Sequence, residues 1–408
     1  MSQILSRQIL SRQILATPWP PQRNGIADYA WEIARATAGP MIVVTEALHP
    51  ARGRAQIGFA ADMPAPGQGA EAAPQPVYHF GNNPDHAFLV PMFLRRPGLA
   101  VVHDLSLHYL VQLADLSLPG FYAAQLRAEH PQLAELVRRV GAAGLAREME
   151  HRELRLLSWL GAARGLVVHS RAAQAVLRAY VPGVAVHVLP HFCYLPGPGF
   201  ASLQQWRDGV RDRVRARWLA GMAFSGPAFV LVCFGFPTPD KQIGAVLRAV
   251  ARLDPAVRDS MAIIVAGERR PGDTDPLAEA RRLGIGERVR LTGWLDEAEA
   301  SDLMLVADLV MALRFPTRGE SSGAVARALG LGCAVVVSDH GSYAELPEET
   351  CLRIPARVDP SESLRALFAA LAGDRSRIVR VREAAYAYAH GPCDPARIAA
   401  RYAELAAA

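Results

Sequence analysis

The chain has 408 residues, of which 51% are hydrophobic and 20% charged, and a formal net charge of +5. That length predicts two domains of roughly 150–200 residues rather than one core, and the composition excludes a disordered or collagen-like chain. The positive charge is dispersed, which fits a phosphate-bearing ligand or an anionic surface and argues against a dedicated nucleic-acid binder.

The cysteines (Cys193, Cys233, Cys333, Cys351 and Cys393) are odd in number and far apart, with no C-x-x-C pair. Neither a zinc site nor a disulfide framework is expected, and a reducing, cytoplasmic compartment is. No run approaches the roughly 18 apolar residues of a membrane span.

From the N-terminus, SRQIL repeats in tandem, and Arg7 and Arg12 interrupt what would otherwise resemble a signal-peptide core. The last copy, from Gln13 to Ala16, reads as a first strand and the earlier copies as a dispensable extension. Short apolar, β-branched runs then alternate with helical patterns. The first half holds QILAT, MIVVTE, VYHFG, LAVVHD, GLVVHS and VAVHVLP. The second holds AFVLVCFGF, MAIIVAGE, VRLTGW, LVMALRF, AVVVSD and CLRIP. Continuous apolar strands separated by helices predict parallel sheets covered on both faces. Two such series predict two doubly wound α/β domains, with ligands at the carboxyl ends of the strands.

Several connecting stretches have readings of their own. Residues 57–76, rich in Ala, Pro and Gly, read as a flexible loop, and 106–161 as a helical segment beside the ligand-binding side. YLPGPGF marks a break near 193–226. The following WRDGVRDRVRARW places Trp206, Val210, Val214 and Trp218 in one stripe among arginines. It reads as a linker helix packed on a domain with its arginines in water, or as a helix lying on a membrane surface. His390-Gly391-Pro392 breaks a helical tail, so the last helix is expected to change direction.

The strand ends carry the polar residues that could do chemistry. Asn24-Gly25 is a tight-turn pair opening a helix, and so a backbone anion site. VYHFGNN and AVVHDLSLH place Asn82, Asn83, His103 and Asp104 at strand ends. The two asparagines could bond a polar ligand. His103 could move a proton or make a structural hydrogen bond. His169-Ser170 reads as a helix cap. Of the 44 Lys and Arg residues, Lys241 is the one lysine. It lies in GFPTPDKQ after the seventh run, where a compact ammonium suits a phosphate. In FPTRGESSGAVARALG, Gly319, Ser321, Ser322 and Gly323 open a helix and could cradle an anion. Glu320 there would accept bonds from sugar hydroxyls, the alternative being a simple N-cap. Asp273-Thr274-Asp275 is a D-x-D tripeptide read as a turn plus N-cap rather than a metal site, and RRLGIGERV lacks a dinucleotide fingerprint.

TPWPPQRNGIADY, HFGNNPDH, VVHDLSLHYL, FGFPTPDKQ, LTGWLDEAEASDLMLVADLVMALRFPTRGESSG and VVVSDHGSYAELP occur in this order along most of the chain. In that order they resemble the retaining glycosyltransferases of family 4. The resemblance implies an α/β, GT-B fold: two Rossmann-like doubly wound domains facing a central cleft. The first would be an acceptor-side domain over 1–195. A linker over 196–226, a donor domain over 227–385 and a helix over 386–408 crossing back would follow.

The implied reaction moves a sugar from a nucleoside-diphosphate sugar to a hydroxyl of a glycan or lipid-linked acceptor, with retention, no cofactor and no essential metal. Peripheral contact with the inner membrane face and a role in polysaccharide assembly fit the same resemblance. By position, Lys241 would contact the diphosphate, Glu320 the donor sugar, and Ser321, Ser322 and Gly323 the same ligand. Asn24 and Gly25 match the first-domain loop near the phosphates, His103 the histidine near the sugar, and Glu345 a loop following the donor site. The chain departs from the pattern twice. The second glutamate of the paired motif is absent, Arg327 or Ala328 standing there. Phe236 stands where relatives carry an arginine, for which Arg318 or Arg327 could substitute. A nucleotide-sugar epimerase and a nucleotide-sugar-binding protein without turnover are the alternatives.

Overall fold

A computed structural model describes residues 13–22, 24–39, 41–46, 55–59, 75–140, 154–196, 211–317, 319 and 321–407. The N-terminal repeats, the middle of the loop expected over 57–76, Trp206, Val210, Arg318 and Glu320 lie outside the described residues. The chain divides into two compact units. One comprises Met1–His191, Arg318–Ser321 and Pro395–Ala408, and the other Phe192–Thr317 and Ser322–Asp394.

The first unit is built on a seven-stranded sheet. In chain order its strands are β1 (Gln13–Ala16), β2 (Met41–Thr45), β3 (Ala55–Phe59), β4 (Pro76–Phe80), β5 (Leu99–Val102), β6 (Gly165–Val168) and β7 (Val186–Val188). They lie in the order β3-β2-β1-β4-β5-β6-β7, and every pairing is parallel. β3 corrects the reading of 57–76 as loop throughout. AQIGF has one β-branched residue and a glycine, so its propensity is weak. It pairs along its whole length with β2 at the sheet edge, from Met41↔Ala55 to Thr45↔Phe59. Helix α1 (Gly25–Ala36) follows β1. The C-terminal helix, Pro395–Ala407, packs on α1, and Tyr29 and Tyr402 share a buried 2.8 Å hydroxyl–hydroxyl bond.

The second unit has six strands: β8 (Phe229–Phe234), β9 (Met261–Ala266), β10 (Val289–Leu291), β11 (Leu309–Ala312), β12 (Val335–Asp339) and β13 (Leu352–Pro355). Their order is β10-β9-β8-β11-β12-β13, again all parallel. β9 is buried along its whole length and β8 along all but its last residue. Buried aliphatic side chains of this kind contribute about 1.5–3 kcal/mol each, and a strand apolar on both faces is stable only between helical layers.

The helix inside the expected linker, α2 (Arg211–Leu219), packs into this unit: Trp218 is 7% exposed, in one core cluster with Leu219, Val230 and Val306. Its arginines are not all in water. Arg215 bonds the carbonyls of Val306 (3.2 Å) and Ala228 and pairs with Asp308 at 3.1 Å. Asp308 also accepts the Val230 amide at 2.7 Å. Among the described residues, no helix is long and apolar enough to cross a membrane.

The order in which strands are added reverses once in each sheet, between β1 and β4 and between β8 and β11. In doubly wound sheets that switch point opens a crevice at the strand carboxyl ends. The loops after β1, β4, β8 and β11 hold most of the residues singled out from sequence.

Candidate functional site

In the second unit, a cavity of about 170 Å³ lies at the switch point, lined by Gly235, Lys241, Arg314, Ser322 and Tyr343 among others. Lys241 reaches it by an unusual backbone path. Pro239–Lys241 form one 3-10 turn, and Gln242 then takes the left-handed conformation (φ 52°, ψ 32°) before α3 (Ile243–Ala251). A non-glycine residue is held there only where the surroundings fix it. Gln242 is 8% exposed, and its Nε2 donates to the carbonyls of Arg357 (2.8 Å) and Val358 (3.1 Å).

The Lys241 ammonium donates to the Phe234 carbonyl at 3.2 Å. Burial pushes its pKa down to about 8. Arg314 lowers it further, while Asp240, Cys233 and Asp273 work the other way. Arg314 is the second cation in the cavity lining. It follows β11 and pairs with Asp240, whose carboxyl it holds below the usual range against the opposing effect of burial. The Arg314 amide bonds Ser338 Oγ at 3.0 Å, and the Phe315 amide bonds the Asp240 carbonyl at 2.8 Å, locking the two loops together. Arg314 ends an apolar strand run, and nothing local in the sequence shows that β11 lies beside β8.

The neighbouring candidates are placed differently. Helix α4 (Gly323–Gly330) begins at Gly323, with Ser322 as N-cap, its Oγ accepting from the Val325 amide at 3.3 Å. The simple cap is thus present, and Ser322 also lines the cavity. Gly319 takes φ +82°, Ser321 is half-buried, and Glu345 is exposed at the end of a 3-10 turn. Arg327 is not in the cavity lining. Its guanidinium bonds Glu297 at 2.7 Å and lies 4.6 Å over the Tyr194 ring. The D-x-D tripeptide is local structure: Asp273 accepts the Arg270 amide at 2.8 Å, and Asp275 caps the helix Pro276–Arg282. Among the described residues no group of His, Cys, Asp and Glu side chains is arranged to hold a metal ion.

In the first unit the predicted residues meet one another. Asn24 caps α1, its Oδ1 accepting from Ile26 at 2.9 Å, with Gly25 the exposed first helical residue. Its Nδ2 donates to Asn83 (3.3 Å) and Asp85 (3.1 Å). The Asn82 amide bonds Asp104 at 2.8 Å, and Asn82 Oδ1 accepts from Leu110 at 3.0 Å. These side-chain oxygens are committed to joining the loops after β1, β4 and β5. Ser170 is a cap, accepting from Ala173 at 3.1 Å.

His103 belongs to a chain of imidazoles in which His79 is buried and His103 and His169 are half-buried. His169 Nδ1 faces the Leu189 carbonyl at 3.0 Å, and a carbonyl only accepts, so that nitrogen carries the proton. In a neutral ring Nε2 is then bare, and it takes a bond from His103 Nδ1 at 3.3 Å. His103 Nε2 takes one in turn from His79 Nδ1 at 2.9 Å. Burial keeps the rings neutral, holding His79 and His169 at about 3 and His86 at about 4, with His103 also well below the ordinary value. Both ring nitrogens of His103 are therefore engaged in hydrogen bonds.

Residues 228–372 match the family model of glycosyl transferases group 1. No curated protein matches the chain by sequence. Among solved structures, HepE of Anabaena in complex with UDP is 18% identical with a TM-score of 0.62, covering 96% of this chain and 98% of that one. WaaG, a glycosyltransferase involved in lipopolysaccharide biosynthesis, is 15% identical with a TM-score of 0.62 over 96% and 98%. A UDP-forming α,α-trehalose-phosphate synthase from Burkholderia xenovorans, in complex with glucose-6-phosphate, is 11% identical with a TM-score of 0.63 over 97% and 100%. At these identities the likeness is one of fold, the two-domain Rossmann-like GT-B arrangement.

Proposed function

We propose that this chain, a glycosyltransferase whose second unit matches the group 1 model, transfers a sugar from a nucleoside-diphosphate donor to a hydroxyl acceptor with retention. The observation that carries the reading is the Lys241 ammonium, fixed in the cavity at the β8–β11 switch point with Arg314 beside it. In the proposed step the bond from the anomeric carbon to the β-phosphate oxygen breaks, and its electron pair stays on the phosphate. In this reading the charge develops beside Lys241, whose position is held by its bond to Phe234, so little reorganisation is needed. The departing phosphate oxygen takes the acceptor's hydroxyl proton. The acceptor oxygen bonds the anomeric carbon on the same face, which yields retention. Glu320, expected to hold the donor sugar, lies outside the described residues. The acceptor we favour is a growing glycan or a lipid-linked sugar, and the step uses no metal.

HepE was solved with UDP and with UDP-glucose, which makes UDP-sugars the first donors to test. Thermal-shift titration with UDP-, GDP- and ADP-sugars, on wild type and Lys241→Ala, is the direct test. One donor class is expected to stabilise the wild type and to lose that effect in the variant. Equal stabilisation of both proteins would remove Lys241 from the phosphate site. Donor binding with neither transfer nor slow donor hydrolysis would instead identify a binding protein without turnover.

A further inference from the structure

The loop after β9 lies directly against the loop that carries Lys241. Gly235 donates its amide to the Ala266 carbonyl at 2.7 Å, and a β-carbon on Gly267 would stand 2.4 Å from the Gly235 carbonyl oxygen. Thr274 closes the same seam, its amide (3.0 Å) and hydroxyl (2.7 Å) both bonding the Pro237 carbonyl. Within this seam the Arg270 guanidinium lies over the Phe236 ring, 3.5 Å from its centroid.

Two features separate Arg270 from an ordinary surface arginine. Its neighbour Arg269 is paired with Asp275, whereas among the described residues Arg270 has no carboxylate partner. Stacking also uses the face of the guanidinium, leaving its N–H edge in plane and available to an anion. The local charge count points the same way. Lys241 and Arg314 are matched by Asp240 and Asp273, the acidic groups acting on Lys241. Arg270 and Phe236 are not themselves in the cavity lining, whereas Gly235, next to Phe236, is. Of these five charged groups Arg270 is the one left unmatched for a multiply charged ligand.

We infer that Arg270, held on the face of Phe236, is a second phosphate-contacting residue of this site, for a nucleoside diphosphate bound through Lys241. The inference rests on the Lys241 reading above. Phe236 is then a positioning residue that acts through Arg270.

Isothermal titration of wild type, Arg270→Gln, Phe236→Leu, the double variant and Lys241→Ala with UDP, GDP and ADP and their monophosphates tests this. Arg270→Gln is expected to weaken the best-bound diphosphate about tenfold, as for one exposed charge-assisted contact, and the monophosphate less. Phe236→Leu is expected to weaken the diphosphate alone but to add nothing in the Arg270→Gln background. Unliganded melting temperatures control for folding. Unchanged diphosphate affinity in Arg270→Gln, with loss in Lys241→Ala, overturns the Arg270 role and leaves the Lys241 reading standing. Unchanged affinity in both variants overturns the Lys241 reading and this inference with it.

Discussion

The ammonium of Lys241 occupies the space that a side chain on Gly235 would need: a β-carbon there would stand 2.1 Å from Nζ. Gly235 also takes φ +93°, which L side chains rarely adopt. Gly235→Ala should therefore strain the backbone, at a cost of about 1–3 kcal/mol, and drive Lys241 from its bond to Phe234. We expect a folded protein that loses donor-induced stabilisation as fully as Lys241→Ala does. Thermal shift with and without donor checks it, and a normal donor response would show that Lys241 tolerates displacement.

The lowered pKa of Lys241 predicts a basic limit on donor binding. Its charge is present below pH 8 and is lost as pH rises through about 8, burial being the main cause. Where only the ammonium form binds, the dissociation constant rises about tenfold per pH unit above that point. Lys241→Ala should bind weakly at every pH and lack the step. A step that persists in the variant would assign it to another group.

Gln242 invites an inverted substitution pattern. Gln242→Ala keeps the left-handed backbone and loses both bonds to the carbonyls of Arg357 and Val358. Gln242→Gly loses the same bonds but relieves the backbone, by about 1 kcal/mol. The glycine variant should melt above the alanine variant, the reverse of the usual order. Equal melting temperatures would mean that φ at 242 stores no strain.

The imidazoles of the first unit predict acid sensitivity. Their folded pKa values lie below the unfolded value near 6.5, at about 3 for His79 and His169 and about 4 for His86. Above pH 6.5 they are neutral in both states and their contribution is fully present. As pH falls from there toward 4, the unfolded chain takes up protons that the fold refuses. Stability drops by about 1.4 kcal/mol per pH unit for each group. Denaturant melts between pH 7 and 4.5 should show this slope, reduced by about one group's share in His86→Gln. An identical slope in that variant would exclude His86 from the effect.

Asp308 is a purely structural test of the linker helix. It binds Arg215, the Val230 amide and Arg375, the last at 3.6 Å. Asp308→Ala leaves Arg215, half-buried in α2, and the buried Val230 amide without that carboxylate. The expected loss is about 3–5 kcal/mol, read by denaturant unfolding. A loss below 1 kcal/mol would mean that α2 is held without help from the Asp308 carboxylate.

How much of this was visible in the sequence varied by element. All but one of the strands coincide with apolar runs, because parallel strands buried on both faces leave an unbroken hydrophobic record. β3 left none, since AQIGF is poor in β-branched residues, and it pairs with β2 along its whole length. Lys241 was legible because the chain otherwise uses arginine. The asparagines mark loops at the strand carboxyl ends, and the bonds found between those loops are the asparagines' own. Arg314 and Arg270 were not legible, since each owes its place to a strand distant in sequence.

The sequence by itself determined the two parallel sheets, the loops at their carboxyl ends and the choice of Lys241. Periodicity and composition are local properties, and these features depend on little else. Only the tertiary structure decided which charges stand together. β8 and β11 pair between residues 78 apart in sequence, Leu231 with Leu309 and onward, and that pairing brings Arg314 to Lys241. The β8–β9 pairing likewise sets Arg270 over Phe236. Charges act through distance in space, which sheet topology fixes and sequence spacing does not.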